Sequence, residues 1–422
     1  MTVHEIAEVH ATEILDSRGR PTVEVTVVLA SGERATAGVP SGASTGRAEA
    51  VERRDGDPAR YGGAGVLGAV ANIETEIAET VCGAAWESLR DLDQALCDLD
   101  GTPDKGRIGA NAIVGVSMAA ARAFASAEAR PLYDWLMPAA VSARVPVPHF
   151  NVLNGGAHAQ NGLAFQEFMV APVGAPNFRE ALRAGAEVYA ALRARLHAAG
   201  LSTGLGDEGG FAPEVALPED ALALLAGAIS DAGYEAGRAG VAIALDPAAS
   251  GFRGEDGRYD VGDARLSSTE LVERYAEIVD RFPVWSIEDG LGEDDWEGWS
   301  TLTRRLGDRV QIVGDDIFVT NPSIISRGID AGVANAALIK LNQIGTVSET
   351  LEAMRVCRSA GYAQMISHRS GETTDAFIAD LAVATGCGQI KSGAPARGER
   401  VAKYNRLTAI EAAAPRLPFG LT

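Results

Sequence analysis

Six polar residues recur at the ends of short apolar runs. They are Asp246 in VAIALDPAAS, Glu288 in VWSIEDG, Asp315 in VQIVGDD, Lys340 in NAALIKLNQIG, His368 in AQMISHRSG and Lys391 in GQIKSGA. If the three carboxylates converge, they repel strongly in a partly dry site unless a cation lies between them. Oxygen-only ligands suit a hard ion such as Mg2+. One such carboxylate is equally well explained as a cap on nearby backbone N–H groups; three in successive units are not. Lys340 sits inside what reads as a buried strand, and Lys391 repeats the pattern. A buried ammonium loses hydration, so it must reach water or be held for a task. Beside metal ions and a second cation its charged form is disfavoured, which predicts a lowered pKa. Such a lysine suits proton abstraction from a C–H next to a carboxylate, with cations steadying the charge that develops.

Other stretches supply complementary groups. Glu208 lies in GLGDEGGFAP, where Gly206, Gly209 and Gly210 allow close backbone approach. It is a candidate to protonate a departing hydroxide. NVLNGGAHAQN carries His158 on a glycine-flanked loop of lid-like composition. VPSGASTG offers the hydroxyls of Ser41, Ser44 and Thr45, and SHRSGE pairs Arg369 with Ser370, a natural phosphate clamp. Each of these is weak alone, since a glycine-flanked acid is also a plain turn and a lone loop histidine is more often structural.

The spacing says what positions them. From Asp246 to Lys391 the successive gaps are 42, 27, 25, 28 and 23 residues. A strand, a helix and two loops take roughly 30 residues or a little less, so the pattern is a repeating βα unit. Helix-start signals fall between the runs: Ser267 with Glu270, Thr346 with Glu349, and Asn321 before Pro322. At least six such units predict a (βα) barrel, whose strand ends share one mouth. Upstream, TVEVTVVL reads as a strand and GANAIVGVSMAAARAFASAEA as a helix, while the prolines of VSARVPVP (142–148) suggest a linker.

Composition narrows the function class. The chain has 422 residues, enough for a small domain beside a large barrel. A net charge of −20 argues against nucleic acid or an anionic membrane as a partner. No run of about 18 apolar residues is evident, and the N-terminus lacks a signal pattern. Four scattered cysteines without a CxxC pair fit a reducing cytoplasm. An acidic protein that binds an anion must supply positive charge locally.

Taken together the motifs resemble the enolase family. Those that match include DSRGRPTVEV, VPSGASTG, NVLNGGAHA, QEFMVAPVGA, GLGDEGGFAP, SIEDGLGEDDWEGW, VGDDIFVTNP, IKLNQIGTVSETLEA, SHRSGETTDAFIADLAVA and GQIKSGAPAR, in order from about residue 13 to about 407. The resemblance implies an α/β fold: an enolase-type modified (β/α)8 barrel (139–422) behind a smaller N-terminal α+β domain (1–138). It implies reversible dehydration of 2-phosphoglycerate to phosphoenolpyruvate. By position, Lys340 matches the base that removes the C2 proton, Glu208 the acid, and Glu167 its neighbour. His158 and His368 match active-site histidines. Asp246, Glu288 and Asp315 match the ligands of a first Mg2+, and Ser44 helps hold a second that arrives with substrate. Arg369 and Ser370 match phosphate contacts, Lys391 the carboxylate contact, and Gln166 a further substrate contact. A cytoplasmic homodimer, or an octamer of dimers, is implied as well.

Several positions depart from the family pattern: Ala157 before His158, Pro247 after Asp246, Ser392 after Lys391, Gly398, and a short C-terminal tail. These leave open a paralogous branch in phosphonate biosynthesis. It would dehydrate 2-phosphonoformylglycerate to carboxyphosphonoenolpyruvate. A non-catalytic binding protein of the same fold is the reading from another class, and it would tolerate loss of Lys340 or Glu208, both present.

Overall fold

The computed structural model describes residues 3–43 and 45–421; Ser44, assigned above to a second metal ion, lies outside the described residues. The chain opens with β1 (His4–Leu15), β2 (Pro21–Leu29) and β3 (Arg34–Gly38), which pair antiparallel with a short β4 (Ala85–Trp86) in the order β3-β2-β1-β4. Val23, Val25 and Val27 alternate along β2 and are fully buried, as a period of two requires of a half-covered sheet. Besides short helical turns, this part carries its two long helices, α1 (Leu89–Asp100), capped by Ser88, and α2 (Ala110–Ala127).

Helix α2 is apolar nearly all round. Its 18 residues, with mean hydropathy 1.2, are long and apolar enough by length and composition to cross a membrane, which the composition did not suggest. The reason is burial: 83% of that stretch is buried inside the protein. The helix lies on β2 and β3 on one side and meets the short helix Leu341–Ile344 of the barrel on the other. A helix covered on all faces must be apolar on all faces. Gly115 permits the close approach, because a Cβ there would lie 2.6 Å from the Val25 side chain.

The barrel begins with β5 (Val147–Asn154) and β6 (Glu167–Ala171), then two helices, α3 (Phe178–Ala198) and α4 (Pro218–Asp231), then β7 (Ala242–Asp246). A two-stranded hairpin, β8 (Tyr259–Val261) and β9 (Ala264–Leu266), precedes α5 (Ser268–Arg281) and accounts for the long first gap in the spacing. Regular alternation follows: β10 (Val284–Glu288), α6 (Trp296–Leu306), β11 (Gln311–Gly314), α7 (Pro322–Asp330), β12 (Ala336–Ile339), α8 (Val347–Ser359), β13 (Ala363–Ser367), α9 (Phe377–Thr385), β14 (Gln389–Lys391) and α10 (Gly398–Ala413). The eight strands close in the order β10-β11-β12-β13-β14-β5-β6-β7.

Helix starts agree with the sequence signals. Ser267 and Glu270 form a capping box, Thr346 accepts the Glu349 N–H, and Asn321 caps the helix that Pro322 begins. Two expectations change. The segment 142–148 is not all linker, since Val147 and Pro148 already pair with β14. Lys340 is not mid-strand: β12 ends at Ile339, and Leu341–Ile344 turns into a short helix behind the lysine. Strand β6 also runs antiparallel to both β5 and β7, because only the short loop 155–166 joins it to β5 and a short connection cannot make a parallel crossover.

The barrel is filled, not hollow. Val147, Met169, Ala171, Ala242, Ala244 and Trp285 pack its lower interior, and Val313, Ala336, Leu338 and Met365 form a second apolar layer. The charged side chains gather at the C-terminal mouth, while below it Gln311, Gln389 and Ser286 satisfy one another inside the barrel.

Candidate active site

Period-two alternation carries each inward-facing strand from the apolar plug to a polar tip: Met169 to Glu167 along antiparallel β6, Ala244 to Asp246 along β7, and Leu338 to Lys340 past β12. Of the predicted site residues that are described, all but Glu288 line one cavity at that mouth. Glu288 joins it through Lys391. The ammonium of Lys391 lies 2.7 Å from Glu288, 3.2 Å from Asp246 and 3.3 Å from Glu167. The ammonium of Lys340 lies 2.5 Å from Asp315 Oδ2, and Gln343 donates to Asp315 Oδ1 at 2.8 Å. The three predicted metal carboxylates thus turn to two ammonium groups. Among the described residues two sets have donor atoms mutually within 4.8 Å, His158–Glu167–Glu208 and Asp289–Asp315–Asp316; the predicted triad Asp246, Glu288 and Asp315 is not drawn together that closely.

The opposite wall is built on Glu208. Asn151 donates to its Oε2 at 3.0 Å, and His368 Nε2 lies 3.0 Å from the same oxygen. Behind His368, Arg400 Nη1 lies 2.6 Å from Nδ1. An arginine can only donate, so Nδ1 is an acceptor and Nε2 carries the hydrogen that Glu208 accepts. Burial lowers the His368 pKa to about 3, despite Glu208, so the ring is neutral at neutral pH. His158 stands between the two acids, with Nδ1 3.7 Å from Glu167 and Nε2 3.7 Å from Glu208.

Electrostatics separate these two acids. Burial, and then the charge of Glu208, push the Glu167 pKa well above the usual carboxylate range. Burial works the same way on Glu208, yet the two histidines, His368 foremost through the N–H it donates, outweigh it and hold that carboxyl well below the range. Within the coupled pair these opposite shifts favour the proton on Glu167 before substrate binds.

Lys340 also departs from expectation. Burial acts to lower the Lys340 pKa, but the facing Asp315 more than offsets it and the pKa rises. The expected fall presumed cations as the dominant neighbours, whereas Asp315 is the group in contact. Lys391 is likewise held charged: burial opposes it, and Glu167, Glu288 and Asp246 prevail. One ammonium cannot balance three carboxylates, so burial and the charge of Asp246 push Glu288 well above its ordinary value.

This imbalance is the test of whether a metal fits. Glu288 Oε2 is buried without a hydrogen-bond partner. Such an oxygen is costly to ionise unless a cation meets it, so the orphaned atom and the raised Glu288 pKa point to the same unmet need for positive charge. Asp246, Glu288 and Asp315 offer only oxygen, the donor type that a hard divalent ion takes. The residues fit Mg2+.

The sequence reading missed several supports. Asp289 has φ +41° and accepts the backbone N–H groups of Asp315 and Asp316, at 2.9 Å each, which fixes the loop after β11. Asn151, Gln343 and Arg400 orient Glu208, Asp315 and His368. Ser370 Oγ accepts from Arg18 at 3.2 Å, which ties the N-terminal sheet to the mouth. Period-two placement along β5 marks Asn151 as inward-facing; nothing in the local sequence marks Arg400.

Family models match in two stretches, "Enolase, N-terminal domain" over residues 6–136 and "Enolase, C-terminal TIM barrel domain" over residues 142–416. An enolase of Rubrobacter xylanophilus is 57% identical over 409 residues, covering 96% of this chain and 94% of its own. An enolase of Mycobacteroides abscessus is 56% identical over 407 residues, with the same coverage. Likeness of that extent, over both the sheet that covers the mouth and the barrel that forms it, makes this chain a member of the enolase family.

Proposed function

We propose that the protein is a glycolytic hydro-lyase that interconverts 2-phosphoglycerate and phosphoenolpyruvate. One observation carries the reading. A lysine and two acids, Glu208 and Glu167, line one cavity with an arginine and a second lysine.

Lys340 Nζ takes the C2 proton as a free amine, its own proton having passed to solvent as substrate enters. The C3 hydroxide leaves on the opposite side with a proton from the Glu208 and Glu167 pair. Glu208 is the delivering group and Glu167 the store, with His158 between them. His368 keeps Glu208 oriented. Arg369 and Ser370 hold the phosphate, while Lys391 and Gln166 hold the glycerate end. Asp246, Glu288 and Asp315, with Ser44 on the loop, would hold Mg2+, which supplies positive charge to the substrate's carboxylate as the C2 carbanion forms.

The phosphonate branch is not favoured, because both relatives named above are called enolase. The reading brings with it a cytoplasmic homodimer or octamer of dimers, two Mg2+ per site, and a division of the chain near 138/139. Purified protein given 2-phosphoglycerate and Mg2+ is expected to produce enol-phosphate absorbance, and Lys340→Ala to lose exchange of the C2 proton with solvent. Absence of turnover by the intact protein, or full exchange in Lys340→Ala, would end the assignment.

A further inference from the structure

The guanidinium of Arg369 already carries an anion. Glu49, from the segment after the loop 40–46, places Oε2 3.0 Å from Nη1 and Oε1 3.1 Å from Nη2. Both side chains are nearly sealed from solvent, 3% and 7% exposed. Asn342 Oδ1 accepts a further bond from Nη1 at 3.0 Å. The same Glu49 carboxylate accepts the Gly46 N–H at 3.1 Å and Gln343 Nε2 at 3.2 Å. Gln343 in turn bonds Asp315 at 2.8 Å. One side chain from the N-terminal part of the chain therefore reaches the arginine, the loop backbone and, through Gln343, an acid of the barrel.

A carboxylate set two-pronged on a guanidinium presents two oxygens to its N–H groups, as a phosphoryl group does. A planar fork has few donors, and each donor spent on Glu49 is withheld from an incoming anion. The carboxylate carries one charge, whereas a phosphoryl dianion carries two and is drawn more strongly to the same fork. A singly charged ligand of similar shape gains no such advantage.

We propose that Glu49 is the resident counter-ion of the Arg369 clamp. The substrate's phosphoryl group binds in competition with it, so Glu49 sets the affinity of the site for phosphate and its preference for a dianion. This rests on Arg369 being the phosphate contact. Glu49 touches no reacting atom; it acts through the arginine.

Calorimetric titration with inorganic phosphate in Mg2+ buffer tests it, with steady-state kinetics on 2-phosphoglycerate alongside. Glu49→Gln is expected to bind phosphate more tightly, on the order of tenfold, with a lower KM and a kcat no higher than that of the unaltered protein. Glu49→Ala, as a second removal of the charge, should move in the same direction. Glu49→Asp keeps the charge and should stay within about threefold of the unaltered protein. Thermal melts establish that each variant is folded. Arg369→Lys should weaken phosphate binding. If it does, and the folded Glu49→Gln and Glu49→Ala proteins bind phosphate equally or more weakly, Glu49 merely orients the arginine and the proposal is wrong. If Arg369→Lys binds phosphate unchanged, the clamp assignment itself falls, and the proposal with it.

Discussion

Arg400 and His368 form the contact that fixes the chemistry of the acid wall. Nη1 lies 2.6 Å from Nδ1, and the arginine is fully buried. The same guanidinium donates to the carbonyls of Arg369 at 2.6 Å, Ser370 at 2.5 Å and Asp207 at 3.2 Å. It therefore sets the tautomer of His368 and holds the loop that carries Arg369 and Ser370. Arg400→Met fills similar volume but leaves the Arg369 and Asp207 carbonyls and a ring nitrogen without this donor, and Ser370 O with only the Ser17 hydroxyl. It should cost about 3–5 kcal/mol of stability by urea unfolding. In the protein that remains folded, kcat should fall by roughly a hundredfold, because the imidazole can then offer Glu208 a lone pair instead of a hydrogen. A folded variant with unaltered kcat would show that the tautomer does not matter.

Lys391 pairs with Glu167, Asp246 and Glu288 at once. Lys391→Met removes the only ammonium within ion-pairing distance of Glu288 among the described residues. Unfolding in the presence of a chelator should show a loss of about 3–5 kcal/mol, the usual result of breaking a buried charge pair by removing one partner. Added Mg2+ should recover a large part of that loss, and it should stabilise the variant more than the unaltered protein. Equal stabilisation of both would mean that these carboxylates are not where the ion binds.

The proton partition between Glu208 and Glu167 predicts unequal variants. Glu208→Gln keeps an acceptor for His368 but cannot deliver a proton. It should retain exchange of the C2 proton while losing dehydration by about 10²–10⁴-fold. Glu167→Gln mimics the protonated state that the acid already holds. Its thermal stability at neutral pH should therefore stay close to that of the unaltered protein, with dehydration reduced less than in Glu208→Gln. Deuterium exchange followed by NMR, beside turnover, separates the two steps. Equal losses of exchange in Glu208→Gln and Lys340→Ala would merge the two roles.

Much of this was legible in the residues. Strand-end polar positions and helix caps are local signals, and the barrel places what they mark at one mouth. The strand order β5-β6-β7 was not legible, because an antiparallel strand buried on both faces has the same apolar run as a parallel one. The rise in the Lys340 pKa was not either. It depends on how closely Asp315, from a neighbouring strand, approaches, and on nothing within IKLNQIG. Arg400 was hidden for a different reason: in RGERVAKYNRL it reads as one more charge on a solvated helix face, and arginine is rarely buried completely. The role of Glu49 needed the contact across 320 residues of chain.

Asp93 offers a pH test far from the chemistry. It sits on α1, buried, and accepts the Ser348 N–H at 2.9 Å at the start of α8, so it ties the N-terminal part of the chain to the barrel. Burial pushes its pKa from 3.8 up to about 6, although the serines around it work the other way. Below about pH 4 the carboxyl is protonated whether the chain is folded or not. Between 4 and 6 the unfolded chain ionises first, so the folded state loses relative stability as pH rises. Above about 6 both forms are ionised and the penalty is constant, up to about 3 kcal/mol. Asp93→Asn retains an acceptor for Ser348 and carries no charge. It should be more stable than the unaltered protein by about 1–3 kcal/mol at pH 7.5, with the gain fading towards pH 4. Urea unfolding at pH 4, 5, 6 and 7.5 measures this. A difference that stays flat across the series would mean that Asp93 ionises as easily inside the protein as in water, and that its contact with Ser348 compensates for its burial.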